Sequence, residues 1–276
     1  MDERKQNPGQ GAILPGEWER RRRTIDSCPV APSDQRWIES GLTSLNELFG
    51  LTPHDHPPVL PSRDFYPVAY DGQELEVHEL TRKLCGAIGV GIESLRLRLV
   101  EESTDRAAAA QARSAPYSGH FGAGTVDPES GLYTVDLDRS LAQEPPVLTA
   151  VIVHELAHVR LHAAHAQDTD HVEDGEPRDE RLEQQADLLA IAVGLGLFGA
   201  NVSFRMPHRR ASLEPVSLGR MDRAMYGYAL ACWSWLRDEP EPQWSKTLGQ
   251  SSRLRLDKGL RYLARAAGAG SLPTVR

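Results

Sequence analysis

The sequence has few cysteines and lacks the segments that mark a secreted or membrane-inserted protein. Cys28, Cys85 and Cys232 lie far apart with no C-x-x-C pair, which fits neither a disulfide framework nor a cysteine-rich zinc site. Residues 1–11 contain no apolar stretch of the kind that a secretory signal requires, and the longest apolar run, residues 188–200, is too short and glycine-rich to span a membrane. We therefore expect a cytoplasmic protein with no membrane partner.

The chain also lacks an excess of positive charge. Its formal net charge of -8 repels the phosphate backbone of nucleic acids, and its arginines are not gathered into one dominant basic region. Nucleic acid is therefore not an expected partner. Two smaller basic clusters, at residues 20–23 and within 253–265, keep open a nucleic-acid-associated regulator, for which salt-dependent DNA binding is the discriminating measurement.

The 276 residues are enough to bury a sizeable core, and their composition divides the chain into four segments. The first is polar and rich in proline, glycine and charge, which predicts a disordered tail. The second combines a short amphipathic helix at 37–49 with a proline-rich linker. The third carries the strand patterns and the catalytic candidates, and the fourth predicts a helical extension with helices at 219–236 and 253–266. The four segments are residues 1–35, 36–71, 72–200 and 201–276.

The third segment changes its apolar period several times, which predicts an α+β fold. Apolar residues at helical spacing come first, and stretches that alternate apolar with polar side chains follow. The turn sequence Asp-Pro-Glu-Ser-Gly at 127–131 predicts that the strands on either side of it form a hairpin. Two buried helices complete the segment. The predicted elements are a helix at 74–88, strands at 95–99, 119–126 and 132–138, and helices at 147–164 and 177–197.

The first of these buried helices carries an H-E-x-x-H pattern, His154-Glu155-Leu156-Ala157-His158. Histidines at i and i+4 share a helix face, so both imidazoles can reach one zinc ion, which keeps a further position for water. Glu155 is rotated by one residue and can accept the proton of that water as general base. A chance pattern on a surface helix is the alternative. The apolar surroundings argue against it, because burying these side chains costs several kcal/mol unless something satisfies them.

The second buried helix places two acids at i and i+4. Glu183 can be the third metal ligand, and Asp187 can accept the free ring N–H of a metal-bound histidine and so fix its tautomer. Taken alone, the two acids fit a solvated helix start better, and the presence of the H-E-x-x-H helix reverses this preference. His162 competes with Glu183 for the metal. However, two i+4 steps advance about 12 Å along a straight helix, so His154 and His162 cannot both lie about 2 Å from one ion.

Together these residues resemble the gluzincins, and within them the ImmA/IrrE-type minigluzincin peptidases of bacteria and their phages. The resemblance rests on the run H-E-L-A-H-V-R-L-H from His154 to His162 and on the motif E-x-x-A-D-x-x-A that begins at Glu183. It covers residues 72–200. It implies a minigluzincin-like core, in which a small three-stranded sheet packs on an active-site helix and a ligand helix around one Zn²⁺ ion.

The resemblance also implies how a protein or peptide substrate binds. In the family, an edge strand ahead of the active helix binds an extended peptide by strand addition, and residues 132–138 are the matching segment. His120, Tyr117 and Tyr133 are candidates for stabilising the oxyanion by their proximity. An acidic loop joins the two ligand-bearing helices, and it gates the cleft, favours basic peptides or is a solvated connection. Its acidic residues are Asp168, Asp170, Glu173, Asp174, Glu176, Asp179 and Glu180.

The expected function is therefore that of a zinc metallopeptidase, an endopeptidase with Glu155 as its general base. A metal-bound sensing or scaffold module that binds a protein without cutting it is the alternative. The presence of Glu155 argues against that alternative, because a purely structural zinc site is closed and needs no base.

Overall fold

The computed structural model describes most of the predicted catalytic segment and its C-terminal extension. The described residues are 27–66, 70–100, 122–126, 131–165, 178–202 and 221–268. Several predicted features lie outside these ranges, namely residues 1–26 of the predicted tail, the candidates Tyr117 and His120, the turn at 127–130 and the acidic residues between 168 and 176.

The first helix, α1, spans Pro32–Phe49. It begins at Pro32, earlier than the predicted start at residue 37. Proline stands at the start of the helix, where its fixed φ suits the helical backbone and its missing N–H costs no hydrogen bond. The helix ends at Gly50, which adopts a left-handed conformation with φ of 60°.

Three strands follow the second helix, α2, which spans Glu74–Ile88. They are β1 (Leu95–Val100), β2 (Gly122–Val126) and β3 (Tyr133–Asp138). β1 pairs with β3 in parallel, with Leu97 opposite Val135. β2 pairs with β3 in antiparallel fashion on the other side, with Gly124 opposite Val135. Alternate residues of β3 point into the core, because successive side chains of a strand face opposite sides of a sheet.

The remaining elements of the described residues are helical, and this part of the chain is mostly helical with one small sheet, consistent with an α+β fold. Helix α3 is buried on all sides, since every residue of 151–159 is buried, and it contacts α2, β2 and the two helices that follow it. The C-terminal helices contact each other, and the first of them also contacts α1 and α4. These elements are α3 (Pro145–His165), α4 (Arg178–Ala192), α5 (Gly196–Val202), α6 (Arg223–Leu236) and α7 (Gln250–Gly268).

The expectation that residues 132–138 form an edge strand is wrong. β3 lies between β1 and β2, so the N–H and C=O groups on both of its sides belong to strand ladders. An added peptide strand needs unpaired backbone groups, and β3 therefore cannot receive one. Of the two outer strands in the described part of the sheet, β2 contacts the helix α3.

The helix predicted at 177–197 is two helices, α4 and α5, separated by a turn at Gly194. This glycine has a φ of 80°, and its carbonyl accepts a hydrogen bond from the amide of Val59 at 2.9 Å. A Cβ atom at this position would lie 2.4 Å from the carbonyl oxygen of Pro57. The break is required because the loop of residues 57–59 packs directly against the turn, and the apolar pattern of the sequence gives no sign of that contact.

The helix α3 also meets the length and composition of a membrane span over Pro145–Ala164. However, 72% of that window is buried inside the fold. A core helix that is mostly buried passes the same test, so the apolar character of α3 is explained by packing against its neighbours.

The turn at Gly194 provides a test of the fold, with Gly50 as its matched control. Gly50→Ala introduces only the strain of a positive φ, because no atom lies within 4 Å of the added Cβ, and we expect a loss of about 1–2 kcal/mol in unfolding free energy. Gly194→Ala adds a backbone collision, so we expect a loss of roughly 2–5 kcal/mol. Urea denaturation of both variants measures the difference. Equal losses would contradict the close approach of Pro57.

Candidate metal centre

The candidate site lies where α3 and α4 pack against each other. His154, Glu155 and His158 come from α3, and Glu183 and Asp187 come from α4. All are buried except Glu183, whose side chain is 18% exposed. The i and i+4 spacing on each helix aligns its pair on one face, and the contact between the two helices brings the faces together.

Three side chains converge in this site with the chemistry of metal ligands. The Nε2 atoms of His154 and His158 lie 3.2 Å apart. The Glu183 carboxylate places Oε2 3.0 Å from His154 Nε2 and Oε1 3.4 Å from His158 Nε2. Ligand atoms about 2.0–2.1 Å from one tetrahedral ion lie about 3.3 Å from each other. The three residues therefore form a group that can hold one metal ion, as their convergence within 4.8 Å also indicates.

The electrostatics of the site favour positive charge between these ligands. Burial alone would lower the pKa of His154, but its hydrogen bonds with Asp187 and Glu183 raise that pKa to about 10. Burial would raise the pKa of Glu183, whereas its contacts with His154 and His158 hold that pKa well below its usual range. A proton on His154 Nε2 thus occupies the position where a metal cation would bind. The Glu183 carboxylate would stabilise either the proton or the metal cation.

Asp187 contacts the side of His154 that faces away from Glu183. Its Oδ1 atom lies 3.2 Å from His154 Nδ1, and its Oδ2 atom accepts a hydrogen bond from the backbone amide of Met221 at 3.3 Å. When His154 Nδ1 carries the ring proton and donates a hydrogen bond to Asp187, the Nε2 atom keeps its lone pair for a metal. The structure therefore places Asp187 against the ring nitrogen of His154 that faces away from the trio.

Arg160 fixes the C-terminal part of α3. Its guanidinium donates to the carbonyl of Ile88 at the end of α2, and it lies 4.3 Å above the ring of Phe49 at the end of α1. These contacts restrict rotation of α3 about its axis. They therefore help to keep the two histidines facing α4.

His162 and Tyr133 lie together beside this centre. The His162 side chain is exposed and its ring is 6.3 Å from the ring of buried Tyr133, in an edge-to-face arrangement. His162 is not a member of the converging trio of ligands. Tyr133 remains a candidate for oxyanion stabilisation, and its place at the start of β3 follows from the strand register.

The backbone amide of Met221 is the part of the site that the sequence did not predict. Met221 is buried and lies immediately before Asp222, whose side chain caps the start of α6 by accepting from the amides of Ala224 and Met225. The proximity of the Met221 amide to Asp187 cannot be read from the sequence, because every residue except proline carries a backbone N–H.

Comparison with family models, with curated proteins and with solved structures finds no match to this chain.

The third ligand can be tested with three variants, one on α3 and two on α4. We expect Glu183→Ala to lose nearly all bound metal, because it removes the carboxylate that faces both histidines. His162→Ala is the control on the same helix as the histidines, and it should retain metal, since His162 lies outside the trio. Asp187→Ala should fall between them, with a loss of roughly 10–100-fold in affinity, because it disturbs only orientation. Zinc titration against a competing chelator measures all three. Greater loss from His162→Ala than from Glu183→Ala would overturn the assignment.

Proposed function

We propose that the protein is a zinc-dependent metallopeptidase that hydrolyses peptide bonds within protein or peptide substrates. The observation that carries the proposal is the trio of His154, His158 and Glu183 ligand atoms, mutually 3.0–3.4 Å apart, on the same helix pair as buried Glu155. The proposed core is minigluzincin-like, with the small sheet packed on α3 and α4. We also propose that it acts in the cytoplasm.

Zinc fits the donor set better than the common alternatives. Two imidazole nitrogens and one carboxylate oxygen suit Zn²⁺, whereas Mg²⁺ and Ca²⁺ prefer sites built of oxygen ligands. Three protein ligands, rather than four, are typical of a catalytic zinc site. When bound, Zn²⁺ would supply Lewis acidity, lowering the pKa of a coordinated water and polarising the scissile carbonyl.

Glu155 supplies the proton transfers in this proposal. Its carboxylate accepts a proton from the attacking water as the oxygen forms a bond to the carbonyl carbon of the substrate. The same proton then passes to the amide nitrogen as the C–N bond breaks, so that the products are a carboxylate and an amine. Glu155 suits this role because it is buried, is the next residue to His154 on α3 and does not belong to the ligand trio.

The sheet order supports β2 as the strand along which an extended substrate lies. Among the described residues, β2 lies at an edge of the sheet and contacts helix α3, whereas β3 is paired on both sides. Strand addition at β2 would supply backbone hydrogen bonds with little demand on sequence, and side-chain pockets would set specificity. The substrate class that fits this arrangement is an unfolded or flexible polypeptide segment.

A non-catalytic metal-bound module that binds or senses a protein is the second candidate. The same trio would hold its metal, so metal binding alone does not separate the two functions. Glu155 does, because a carboxylate buried beside the ligands has a role in hydrolysis and none in a closed structural site.

Glu155→Gln tests the proposed hydrolysis. The variant keeps all three ligands and should bind zinc with near-native affinity, while hydrolysis should fall by at least 10²–10⁴-fold, because the proton acceptor is lost. The measurement is mass-spectrometric detection of new N-termini after incubation of a denatured cell lysate with zinc-loaded protein. His154→Ala is the companion variant, which should lose both zinc and hydrolysis.

The outcomes separate the two candidate functions. New N-termini that require Glu155 support the peptidase. Zinc binding without any cleavage beyond that of the Glu155→Gln variant would support the binding module. Native protein that binds no zinc would reject both.

A further inference from the structure

The C-terminal extension reaches the metal centre through one backbone hydrogen bond. Met221 lies beyond residues 72–200, which contain the predicted catalytic segment, yet its amide donates to Asp187 Oδ2 at 3.3 Å. The other oxygen of that carboxylate, Oδ1, lies 3.2 Å from His154 Nδ1. Asp187 is therefore held between a metal ligand on one side and the start of the extension on the other.

We infer that the Met221 amide is a positioning group for the metal centre, acting through Asp187, and that it makes a carboxylate necessary at position 187. The inference rests on the metal site proposed above. It assigns to the C-terminal extension a part in metal binding beyond packing on the core.

Asp187 faces two groups that can donate hydrogen bonds, the Met221 amide and His154 Nδ1. The Met221 amide is a hydrogen-bond donor in every state of the protein, since a backbone N–H does not change its role. His154 Nδ1 must also be a donor whenever Nε2 holds a metal, because a neutral imidazole carries its single proton on the nitrogen that is not ligated. A carboxylate satisfies both donors, since each of its oxygens can accept.

A carboxamide at the same place cannot satisfy both donors. If its oxygen faces Met221, its NH₂ group faces His154 Nδ1 and favours the tautomer that has the proton on Nε2, where the metal must bind. If its oxygen faces His154, two donors oppose each other at Met221. Each arrangement leaves one buried donor without an acceptor while metal is bound, and such a group is costly in a site this deeply buried.

The Met221 amide is held firmly enough to act in this way. The Met221 side chain is buried, and the following residue, Asp222, caps α6 by accepting two hydrogen bonds of 2.7 and 2.8 Å. One turn into α6, the hydroxyl of buried Tyr226 donates to the carbonyl of Gly196 at 3.2 Å and so ties α6 to α5. The amide therefore cannot turn away from Asp187 without disturbing this packing.

The test compares Met221→Pro, which removes the amide hydrogen, with Met221→Ala, which removes the side chain but keeps the hydrogen. Zinc affinity is measured by chelator competition, and folding is followed by circular dichroism. We expect Met221→Pro to bind zinc about 10-fold more weakly, within the range for loss of an outer hydrogen bond, and Met221→Ala to remain close to native. Equal losses in the two variants would overturn the inference, because they would indicate a packing effect alone.

The decisive measurement is the same proline substitution in an Asp187→Asn background. Asp187→Asn alone should weaken zinc binding roughly 10–100-fold. Adding Met221→Pro removes the competing donor and frees the amide oxygen to face His154, so the double variant should bind zinc about 10-fold more tightly than Asp187→Asn alone. Met221→Pro should thus weaken zinc binding in the native background and strengthen it in the Asp187→Asn background. A loss of structure would not produce this reversal. Losses that simply add would overturn the inference.

A further comparison needs no change at Met221 and holds if the proline variants do not fold. Asp187→Asn should bind zinc no more tightly than Asp187→Ala, although asparagine preserves the shape of the side chain. Near-native affinity of Asp187→Asn would overturn the inference. The proposed metal site would still stand in that case, because native protein would bind zinc. Native protein without zinc affinity would instead reject the site itself.

Discussion

The burial of several ionisable side chains at one contact between α3 and α4 is the constraint on which the rest of the structure depends. Ionised groups removed from water are costly unless opposite charge and hydrogen bonds offset the cost. His154 meets part of this requirement, because Glu183 and Asp187 raise its pKa to about 10 against the effect of burial. A proton there offsets one negative charge, whereas a divalent cation offsets two. The site is thus more fully compensated with a metal than with a proton.

This constraint explains why so much of the chain packs around one helix. α3 contacts α2, α4, α5 and β2, and Arg160 joins its end to the ends of α1 and α2. Each contact limits how far α3 can rotate or slide, and a shift of about 1 Å is enough to spoil the geometry of ligands around one ion. The C-terminal helices continue the same support, since α6 contacts α4 and begins beside the amide that holds Asp187.

The sequence predicted the parts of this arrangement that depend on local spacing. The pairs at i and i+4 identified His154 with His158 and Glu183 with Asp187, and the apolar period identified α3 as buried. The order of the sheet, the break at Gly194 and the Met221 amide depend on contacts between distant segments. Alternation within residues 132–138 predicts a strand but does not determine which strands lie beside it. The helical pattern likewise continues through residue 194, because the carbonyl of Pro57 leaves no mark on the apolar spacing of α4 and α5.

The order of the strands also bears on how the site meets a polypeptide. β1 carries exposed Arg96 and Arg98, and charged side chains on an edge strand oppose the addition of a further strand. β2, with the sequence Gly-Ala-Gly-Thr-Val, has no charged residue and contacts the active-site helix. The two edges of the sheet therefore differ in the way that a proposed peptidase requires. In the described part of the sheet, the β1 edge carries charged side chains that discourage strand addition, whereas the β2 edge has no charged residue and lies beside α3. A substrate added at β2 would run along the helix that carries Glu155, with its own backbone supplying most of the contact.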